Sequence, residues 1–505
     1  MLFNSYEFIF LFLPVVFFGF FGLARASHRL AALWLAAASM FFYGWWNPQY
    51  VFLLLLSITV NYFMGYLIGH RRLVRESRKA AALPILVVAI SVNLGLLAYF
   101  KYANFFLVTT NELVGTDWRL ANVVLPLGIS FYTFTQIAFL VDVYRGIVKD
   151  YDFIHYVLFV TYFPHLIAGP VLHHKQMMPQ FALAGTYRPT WGNVCTGLAF
   201  FSIGLAKKVL LADNLATFAQ PVFGAAKDGS TMFFLSSWIG TITYAFQLYF
   251  DFSGYSDMAV GLSKMFGVNL PYNFNSPYKS RNIIEFWQRW HMTLSQFLRD
   301  YLYIPLGGNR KGAVRRYINL IVTMLLGGLW HGANWTFVVW GGLHGAFLVI
   351  NHAWRRYRPG PSGFMGRFLS GMLTFLAVLV AWVFFRAESF SAATAIILGM
   401  TGVNGISLPV ALAHLAPQLA ASSWPILFDG ITPEIGQQTS VASVVFWLFL
   451  SAVIVWFIPN TQELVSRIKS LSNRHLDLVA GVLGSLFCLA VFGFSKVSEF
   501  LYFQF

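Results

Sequence analysis

The chain has 505 residues, of which 58% are hydrophobic and only 10% are charged, and its formal net charge at pH 7 is +15. Soluble domains carry about 25% charged residues, so the composition excludes a soluble protein and indicates an integral membrane protein. The basic residues lie in short loops between apolar runs. That placement is typical of the positive-inside rule and argues against a nucleic-acid-binding protein.

Apolar runs long enough to cross a bilayer, which takes about 20 residues in a helix, recur along most of the chain. The clearest lie near residues 8–24, 30–46, 50–69, 80–100, 122–141, 192–212, 232–252, 317–334, 335–352, 368–385, 441–458 and 477–494. We therefore predict an all-α, polytopic helical bundle with about 11 to 14 crossings plus re-entrant or amphipathic helices. We expect one domain over residues 1–505.

The loops between these runs also predict an orientation. Residues 70–79 hold five Lys or Arg and residues 355–367 hold four arginines, whereas residues 388–440 hold no Lys or Arg at all. By the positive-inside rule the basic loops face the cytoplasm and residues 388–440 face outward. The amino terminus then lies outside, because the first loop, with Arg25 and Arg29, and the third, at 70–79, are basic while the second, at 47–49, is uncharged. Residues 1–24 lack a basic segment and a cleavage site, so we interpret them as a first span and not as a signal peptide.

The two cysteines and the absence of repeats narrow the function further. Cys195 and Cys488 lie in apolar runs and offer neither a disulfide framework nor the spacing of a metal site, so we predict buried, inert side chains and no bound metal. No period of 20–50 residues is visible, which argues against a solenoid. The sequence therefore also lacks the usual evidence for a secondary transporter, which is a pair of inverted repeats.

Asp251 and Asp257 close the run at 232–252, in the sequence DFSGYSD. Their spacing does not place both on one helical face, and we expect Gly254 to break the helix between them. A hydrolase that uses paired carboxylic acids is therefore disfavoured. For either carboxylate two roles stay open, orienting a histidine or capping a helix.

Residues 282–303 have the periodicity of a single amphipathic helix. Charged side chains such as Glu285 and Arg289 fall on one face and tryptophans on the opposite face, as in helices that lie at a membrane interface. His291 falls on the apolar side, close to Ser295. A functional imidazole and a structural hydrogen bond both remain possible for it.

The sequence GGLWHGANW at 327–335 places His331 in an apolar, glycine-rich segment. An ionisable group at membrane depth is costly and usually lines a cavity or takes part in chemistry. Imidazole exchanges a proton near neutral pH, and flanking glycines let backbone or substrate approach it closely. From these residues alone His331 is either a catalytic group or a histidine hydrogen-bonded within a bundle. We interpret His344, in the following run, as a packing residue.

These motifs together resemble a known family. The sequence EFWQRWHMTLS at 285–295, followed by GLWHG at 328–332, resembles the membrane-bound O-acyltransferase family and its bacterial branch typified by alginate O-acetylase. The opening LFNS, PLGISF at 126–131, AGP at 168–170, the segment 251–257 and the terminal YFQF resemble the same branch. The resemblance covers nearly the whole chain and is most specific over residues 251–345.

The resemblance implies an O-acyltransferase of the bacterial inner membrane. It would carry an acetyl or other acyl group from a cytoplasmic thioester, acetyl-CoA being the expected donor, to a periplasmic acetyltransferase partner. The final acceptor would be an exported polysaccharide, either alginate-like or cellulose. No bound cofactor is expected. Two alternatives stay open, a transporter of polysaccharide or lipid-linked sugar and a non-catalytic scaffold of a secretion complex.

The resemblance also assigns residue roles, with His331 as the principal catalytic histidine and His291 as the second. Because a hydroxyl is a weak nucleophile at neutral pH, an imidazole must take its proton as it attacks the thioester. We expect the oxyanion to be stabilised by His291, by the Trp330 indole or by backbone N–H groups near Gly332. Arg289 is expected to attract a phosphate-bearing donor. The remaining candidates for substrate binding are Asn334, Ser295 and Asp251.

Overall fold

The protein is described by a computed structural model that covers residues 1–74, 79–120, 123–148, 152–357, 363–408, 426–427, 440–468, 470–496 and 500–501. The α-helices are α1 (Leu13–Ala24), α2 (His28–Gly44), α3 (Gln49–Val74), α4 (Lys79–Leu97), α5 (Ala103–Val114), α6 (Ile129–Arg145), α7 (Phe153–Thr161), α8 (His174–Phe181), α9 (Trp191–Ala206), α10 (Asp213–Lys227), α11 (Phe234–Met265), α12 (Ile283–Trp287), α13 (Met292–Leu298), α14 (Gly312–His331), α15 (Trp335–Tyr357), α16 (Phe364–Arg386), α17 (Phe390–Thr401), α18 (Val441–Phe457), α19 (Thr461–Ile468) and α20 (Asn473–Phe492). The all-α prediction is confirmed, and each predicted apolar run overlaps a helix, although the run at 122–141 becomes helical only at Ile129.

Short segments of other geometry join these helices. The π-helical segments are Glu7–Phe12, Ala98–Tyr102, Lys207–Ala212 and Arg299–Tyr303, and the 3₁₀ segments are Ala184–Tyr187, Pro277–Lys279 and Gly493–Lys496. Two strands, β1 (Ile406–Ser407) and β2 (Ile426–Leu427), pair in parallel with Ile406 opposite Ile426. The strands are too short to change the fold class.

Six helical stretches among the described residues are long and apolar enough to cross a membrane. They are Glu7–Ala24, Gln49–His70, Ala81–Val114, Trp191–Lys227, Phe364–Arg386 and His475–Phe492, and the bent pair of α18 and α19 is a seventh if it counts as one span. This is fewer than the 11 to 14 crossings predicted. The runs at 30–46 and 122–141 form helices of only 17 residues. Those at 317–334 and 335–352 form helices that carry histidine, asparagine and arginine.

The chain forms two compact units, each assembled from separate stretches of sequence. The first consists of Met1–Leu205, Tyr255–Asn273 and Val465–Phe494. Buried amides hold its helices together. The side chains of Asn61 on α3 and Asn93 on α4 exchange hydrogen bonds of 3.2 and 2.6 Å, and the Gln136 amide on α6 donates to the Ser57 hydroxyl at 2.9 Å. Such pairs satisfy polar groups that would be costly in an apolar environment.

The second unit consists of Ala206–Gly254, Phe274–Leu464 and Ser495–Phe505, and its centre is the hairpin of α14 and α15. Glycines let the two backbones meet. A Cβ atom at Gly328 would lie 2.2 Å from the Phe337 carbonyl oxygen, and one at Gly341 would lie 2.3 Å from that of Met324. We expected the glycines around His331 to let backbone or substrate come close. In the structure, the backbone of the neighbouring helix lies against them.

The burial predicted for the two cysteines is contradicted, and three other predicted segments are wholly or partly undescribed. Cys195 and Cys488 are free and exposed, so the prediction of burial is wrong. Both lie on candidate spans, where a thiol on the lipid-facing surface is kept from water by lipid and not by other helices. Residues 75–78 of the basic loop, residues 409–425 and 428–439 of the predicted outward stretch, and the terminal 502–505 lie outside the described residues.

Candidate active site

His331 is the last residue of α14, and its side chain is 5% exposed. Its Nδ1 atom lies 2.6 Å from the carbonyl oxygen of Gly327, one turn earlier. Because a carbonyl oxygen only accepts, Nδ1 carries the hydrogen and the lone pair of the neutral ring lies at Nε2. The carboxyl end of a helix also favours a positive charge, so this position suits an imidazole that must accept a proton.

His291 lies where the predicted amphipathic helix is broken. The structure has α12 ending at Trp287 and α13 starting at Met292, so the expectation of one continuous helix over 282–303 is wrong. His291 adopts φ 43° and ψ 53°, the left-handed conformation, which costs a non-glycine residue about 1–3 kcal/mol. Such strain is commonly found at functional sites, and periodicity in a sequence cannot reveal it.

The two histidines come together despite the forty residues between them. Their ring centroids are 6.4 Å apart, and His291 is fully buried. The Phe252 ring packs edge-on against His291 at 4.8 Å. His291 lies outside the candidate membrane spans, and burial together with the nearby His331 lowers its pKa well below the usual value. A neutral ring at His291 suits a hydrogen-bonding role beside a base.

Aromatic rings enclose His331. The centroids of Trp330 and Trp340 each lie 4.9 Å from that of His331, and that of Phe385 lies 5.5 Å away. Trp330 is 4% exposed. This wall removes the imidazole from bulk water, and the resulting low dielectric strengthens each electrostatic interaction made there.

Asp251 belongs to a buried ion cluster near the site. The Lys208 ammonium lies 2.7 Å from the Asp251 carboxylate and 2.8 Å from that of Asp213, and the Leu501 backbone N–H donates to Asp251 at 3.0 Å. Asp251 lies within α11, which continues through Gly254, so neither a helix cap nor a break occurs there. Its neighbour Phe252 contacts His291.

Comparison with known proteins identifies the family. A model described as MBOAT, membrane-bound O-acyltransferase family, matches residues 56–392, which include both histidines. The chain belongs to the membrane-bound O-acyltransferase family. It is 40% identical to the peptidoglycan O-acetyltransferase of Helicobacter pylori, over all of this chain and 98% of that protein. It is 44% identical to the probable alginate O-acetylase of Pseudomonas aeruginosa, over 78% of this chain and 73% of that protein.

A more distant relative broadens the chemistry. The chain is 28% identical to the teichoic acid D-alanyltransferase of Streptococcus thermophilus, over 51% of this chain and 68% of that protein. The chain is thus a multi-pass membrane protein and an O-acyltransferase, as the sequence motifs predicted. Its relatives are named for transferring acetyl or alanyl groups.

In this membrane-bound O-acyltransferase Arg289 lies at the rim of a polar cavity. It forms an ion pair with Glu285 at 2.8 Å and donates to the Asn275 carbonyl oxygen at 3.2 Å. The cavity has a volume of about 410 Å³ and is also lined by Asn282 and Arg355. Two guanidinium groups and one carboxylate leave the rim with a positive charge, consistent with an anionic ligand. The predicted role of Arg289 in donor binding stays a prediction.

Ser295 and Asn334 have mainly structural contacts. The Ser295 hydroxyl donates to the Trp290 carbonyl oxygen at 3.4 Å. The Asn334 amide donates to the Glu388 carbonyl oxygen and accepts from the Thr336 N–H, both at 3.0 Å, which shapes the turn before α15. Their predicted contact with substrate is not tested.

Sequence reasoning missed two features of this site. Lys208, which neutralises Asp251, comes from a π-helical segment more than forty residues upstream, and no local motif links the two. The Trp340 ring contacts both His331 and His344. Its centroid lies 4.9 Å from that of each imidazole. Its helical position, nine residues after the motif histidine, was the available signal.

Proposed function

We propose that this protein transfers an acetyl group from a cytoplasmic thioester, with acetyl-CoA as the donor, across the bacterial inner membrane for O-acetylation of an exported polysaccharide. A periplasmic acetyltransferase partner passes the group to the polymer. The names of the relatives that acetylate peptidoglycan and alginate support acetyl as the group and a polysaccharide as the acceptor.

The single observation that carries this proposal is the hydrogen bond between His331 Nδ1 and the Gly327 carbonyl oxygen. It orients the ring and leaves Nε2 as the basic nitrogen. An imidazole held in one tautomer beside an aromatic wall is suited to general-base catalysis, which accelerates proton transfer about 10²–10⁴-fold.

The reaction proceeds by addition and elimination. His331 Nε2 takes the proton of the acceptor hydroxyl as its oxygen attacks the thioester carbonyl carbon. The tetrahedral intermediate then collapses, the carbon–sulfur bond breaks, and the imidazolium returns the proton to the thiolate. His291, 6.4 Å away between ring centroids, is placed to hydrogen-bond a reacting group.

The charge distribution supports the orientation in this proposal. Arg315 and Arg316 lie at the start of α14 and Arg355 and Arg356 at the end of α15, so both basic ends of the hairpin face the cytoplasm under the positive-inside rule. The turn at 332–334 then faces outward and presents His331 to the acceptor. The positive cavity at Arg289 would hold the donor's phosphates from the inner side.

Replacing His331 with alanine in the native host tests the function. We expect ester-linked acetate, released by mild alkali from the isolated envelope polysaccharides, to fall at least 100-fold because the general base is lost. His475→Ala is the matched control, since that exposed histidine lies on α20, away from the motif. Wild-type acetate in the His331→Ala strain, with the protein present in the membrane, would refute the proposal.

The same strains distinguish the two alternatives. A transporter would leave the polysaccharide inside the cell, and a scaffold would lose partner proteins from the membrane. Either result with unchanged acetate per unit of exported polymer would favour that alternative over acyl transfer.

A further inference from the structure

Two buried hydrogen-bond donors lie on one face of α15 beside His331. Trp340 is 1% exposed and His344 is fully buried. They are four residues apart, so they share a face of the helix, and their ring centroids are 4.9 Å apart. Neither belongs to the sequence motif that contains His331.

The protonation pattern of His344 follows from its partner. The Trp287 indole N–H donates to His344 Nδ1 at 3.3 Å. An indole nitrogen only donates, so Nδ1 supplies the lone pair and the hydrogen of the neutral imidazole lies at Nε2. This is the opposite tautomer to that of His331. Nε2 is therefore the basic nitrogen in His331, whereas in His344 it carries the hydrogen and donates.

Both donor atoms lack a protein partner. Within the described part of the chain, no hydrogen-bond acceptor reaches the Trp340 indole nitrogen or His344 Nε2, although both atoms are inaccessible to solvent. Leaving a buried donor unsatisfied costs about 1–3 kcal/mol. Buried polar groups are almost always paired, and an exception commonly marks a catalytic or ligand-binding role.

The position of the donors indicates which group they bind during the reaction. The Trp340 ring contacts both the base and the second donor, with its centroid 4.9 Å from that of His331 and 4.9 Å from that of His344. A group that reacts at His331 Nε2 is adjacent to Trp340. Negative charge develops on the thioester carbonyl oxygen during this reaction, and preorganised donors in a dry site stabilise it best.

We propose that the Trp340 indole N–H and His344 Nε2–H form the oxyanion hole of this enzyme, an inference that rests on the acyl-transfer function proposed above. As the hydroxyl oxygen bonds to the carbonyl carbon, the hydroxyl proton moves to His331 and the carbonyl π electrons move to oxygen. The two donors bind that oxyanion. It reforms the carbonyl as the carbon–sulfur bond breaks and the proton passes from His331 to sulfur.

Trp340→Phe and His344→Leu test the assignment, with rates expressed per folded enzyme. The assay is thiol release from acetyl-CoA by the full-length protein in proteoliposomes, with alginate and peptidoglycan fragments as acceptors and periplasmic extract added. Loss of an oxyanion donor is expected to lower kcat about 10²–10³-fold with little change in KM. His344→Gln keeps a donor near Nε2 and should recover part of that loss.

Stability separates catalysis from packing. Removing the unsatisfied N–H in Trp340→Phe breaks no hydrogen bond, so its melting temperature should fall only by the packing lost with the smaller ring, whereas His344→Leu also removes the acceptor of the Trp287 N–H and should fall further. Trp354→Phe, an exposed tryptophan of the same helix, is the matched control and should keep wild-type kcat. If His344→Leu does not fold, Trp340→Phe alone decides, because it removes the N–H and keeps a smaller aromatic ring at that position.

A kcat within threefold of wild type for Trp340→Phe would overturn the proposal. Its failure is distinguishable from failure of the function itself, because His331→Ala would still be inactive in the same assay. If the wild-type enzyme releases no thiol from acetyl-CoA, the donor assignment is wrong. Ester acetate on envelope polysaccharide in cells that carry the same variants then decides the role of the two donors.

Discussion

At the scale of single residues, the chemistry of this site depends on the tautomer of each imidazole, that is, on which of its two nitrogens carries the hydrogen. The Gly327 carbonyl oxygen fixes the His331 hydrogen at Nδ1, and the Trp287 indole fixes that of His344 at Nε2. Two equivalent side chains thereby obtain opposite properties. Sequence motifs identified His331 and His291, but they could not give these tautomers because each partner is defined only by folding.

His291 offers a test that separates its ring from its backbone. Glycine adopts the left-handed conformation without steric cost, so in His291→Gly the relief of backbone strain should offset part of the packing lost with the buried ring. If the imidazole takes part in the reaction, transfer activity per folded enzyme should fall at least tenfold. The measurements are melting temperature in detergent and the rate of acetyl transfer.

His291→Asn is the companion variant, since asparagine also tolerates this conformation and keeps a hydrogen-bonding side chain. We expect its activity to lie between those of the glycine variant and wild type. Full activity of His291→Gly would mean that the residue serves only to turn the chain between α12 and α13.

At the scale of helices, the α14–α15 hairpin positions the site because glycines bring its two backbones into contact. Alanine at Gly328 would place Cβ 2.2 Å from the Phe337 carbonyl oxygen, a contact that side-chain rotation cannot relieve. Overpacking of this kind typically costs about 1–3 kcal/mol. The helices would have to separate, and His331 would move relative to Trp340.

We therefore expect Gly328→Ala to lower both the melting temperature and the transfer rate. Gly342→Ala is the matched control, because a Cβ there meets only the Leu325 side chain at an ordinary 3.5 Å. Thermal unfolding and acetyl transfer are measured on both. Equal behaviour of the two variants would contradict the role given to close backbone contact.

The helices also show which parts of the fold could be predicted from the sequence. Each hydrophobic run overlaps a helix, since burial of apolar residues in lipid or protein gives the same strong signal, but helices such as α8 and α17 lie outside the predicted runs. The candidate spans among the described residues are fewer than the predicted crossings because α14 and α15 carry polar groups that make them less apolar. The break at His291 escaped prediction, since the residues on either side keep a helical period through the turn.

At the scale of the whole molecule, family membership was predictable because the matching motifs extend over nearly the entire chain. The buried cluster of Lys208, Asp213 and Asp251 was not, since Asp251 lies on α11, a different helix from the other two residues, and only folding brings them together. Lys208 must remain paired, because an uncompensated charge is costly in an apolar interior. The identity of the acceptor depends on tertiary contacts, which no motif encodes.

Directional acetyl transfer across a membrane tests the central claim most directly. Proteoliposomes would carry acetyl-labelled acetyl-CoA inside, with polysaccharide acceptor and periplasmic extract outside, and insertion direction would be measured for each preparation. We predict labelled ester on the external polymer with wild-type protein and at least 100-fold less with His331→Ala, while His475→Ala matches wild type. Equal labelling by wild type and His331→Ala would contradict the account.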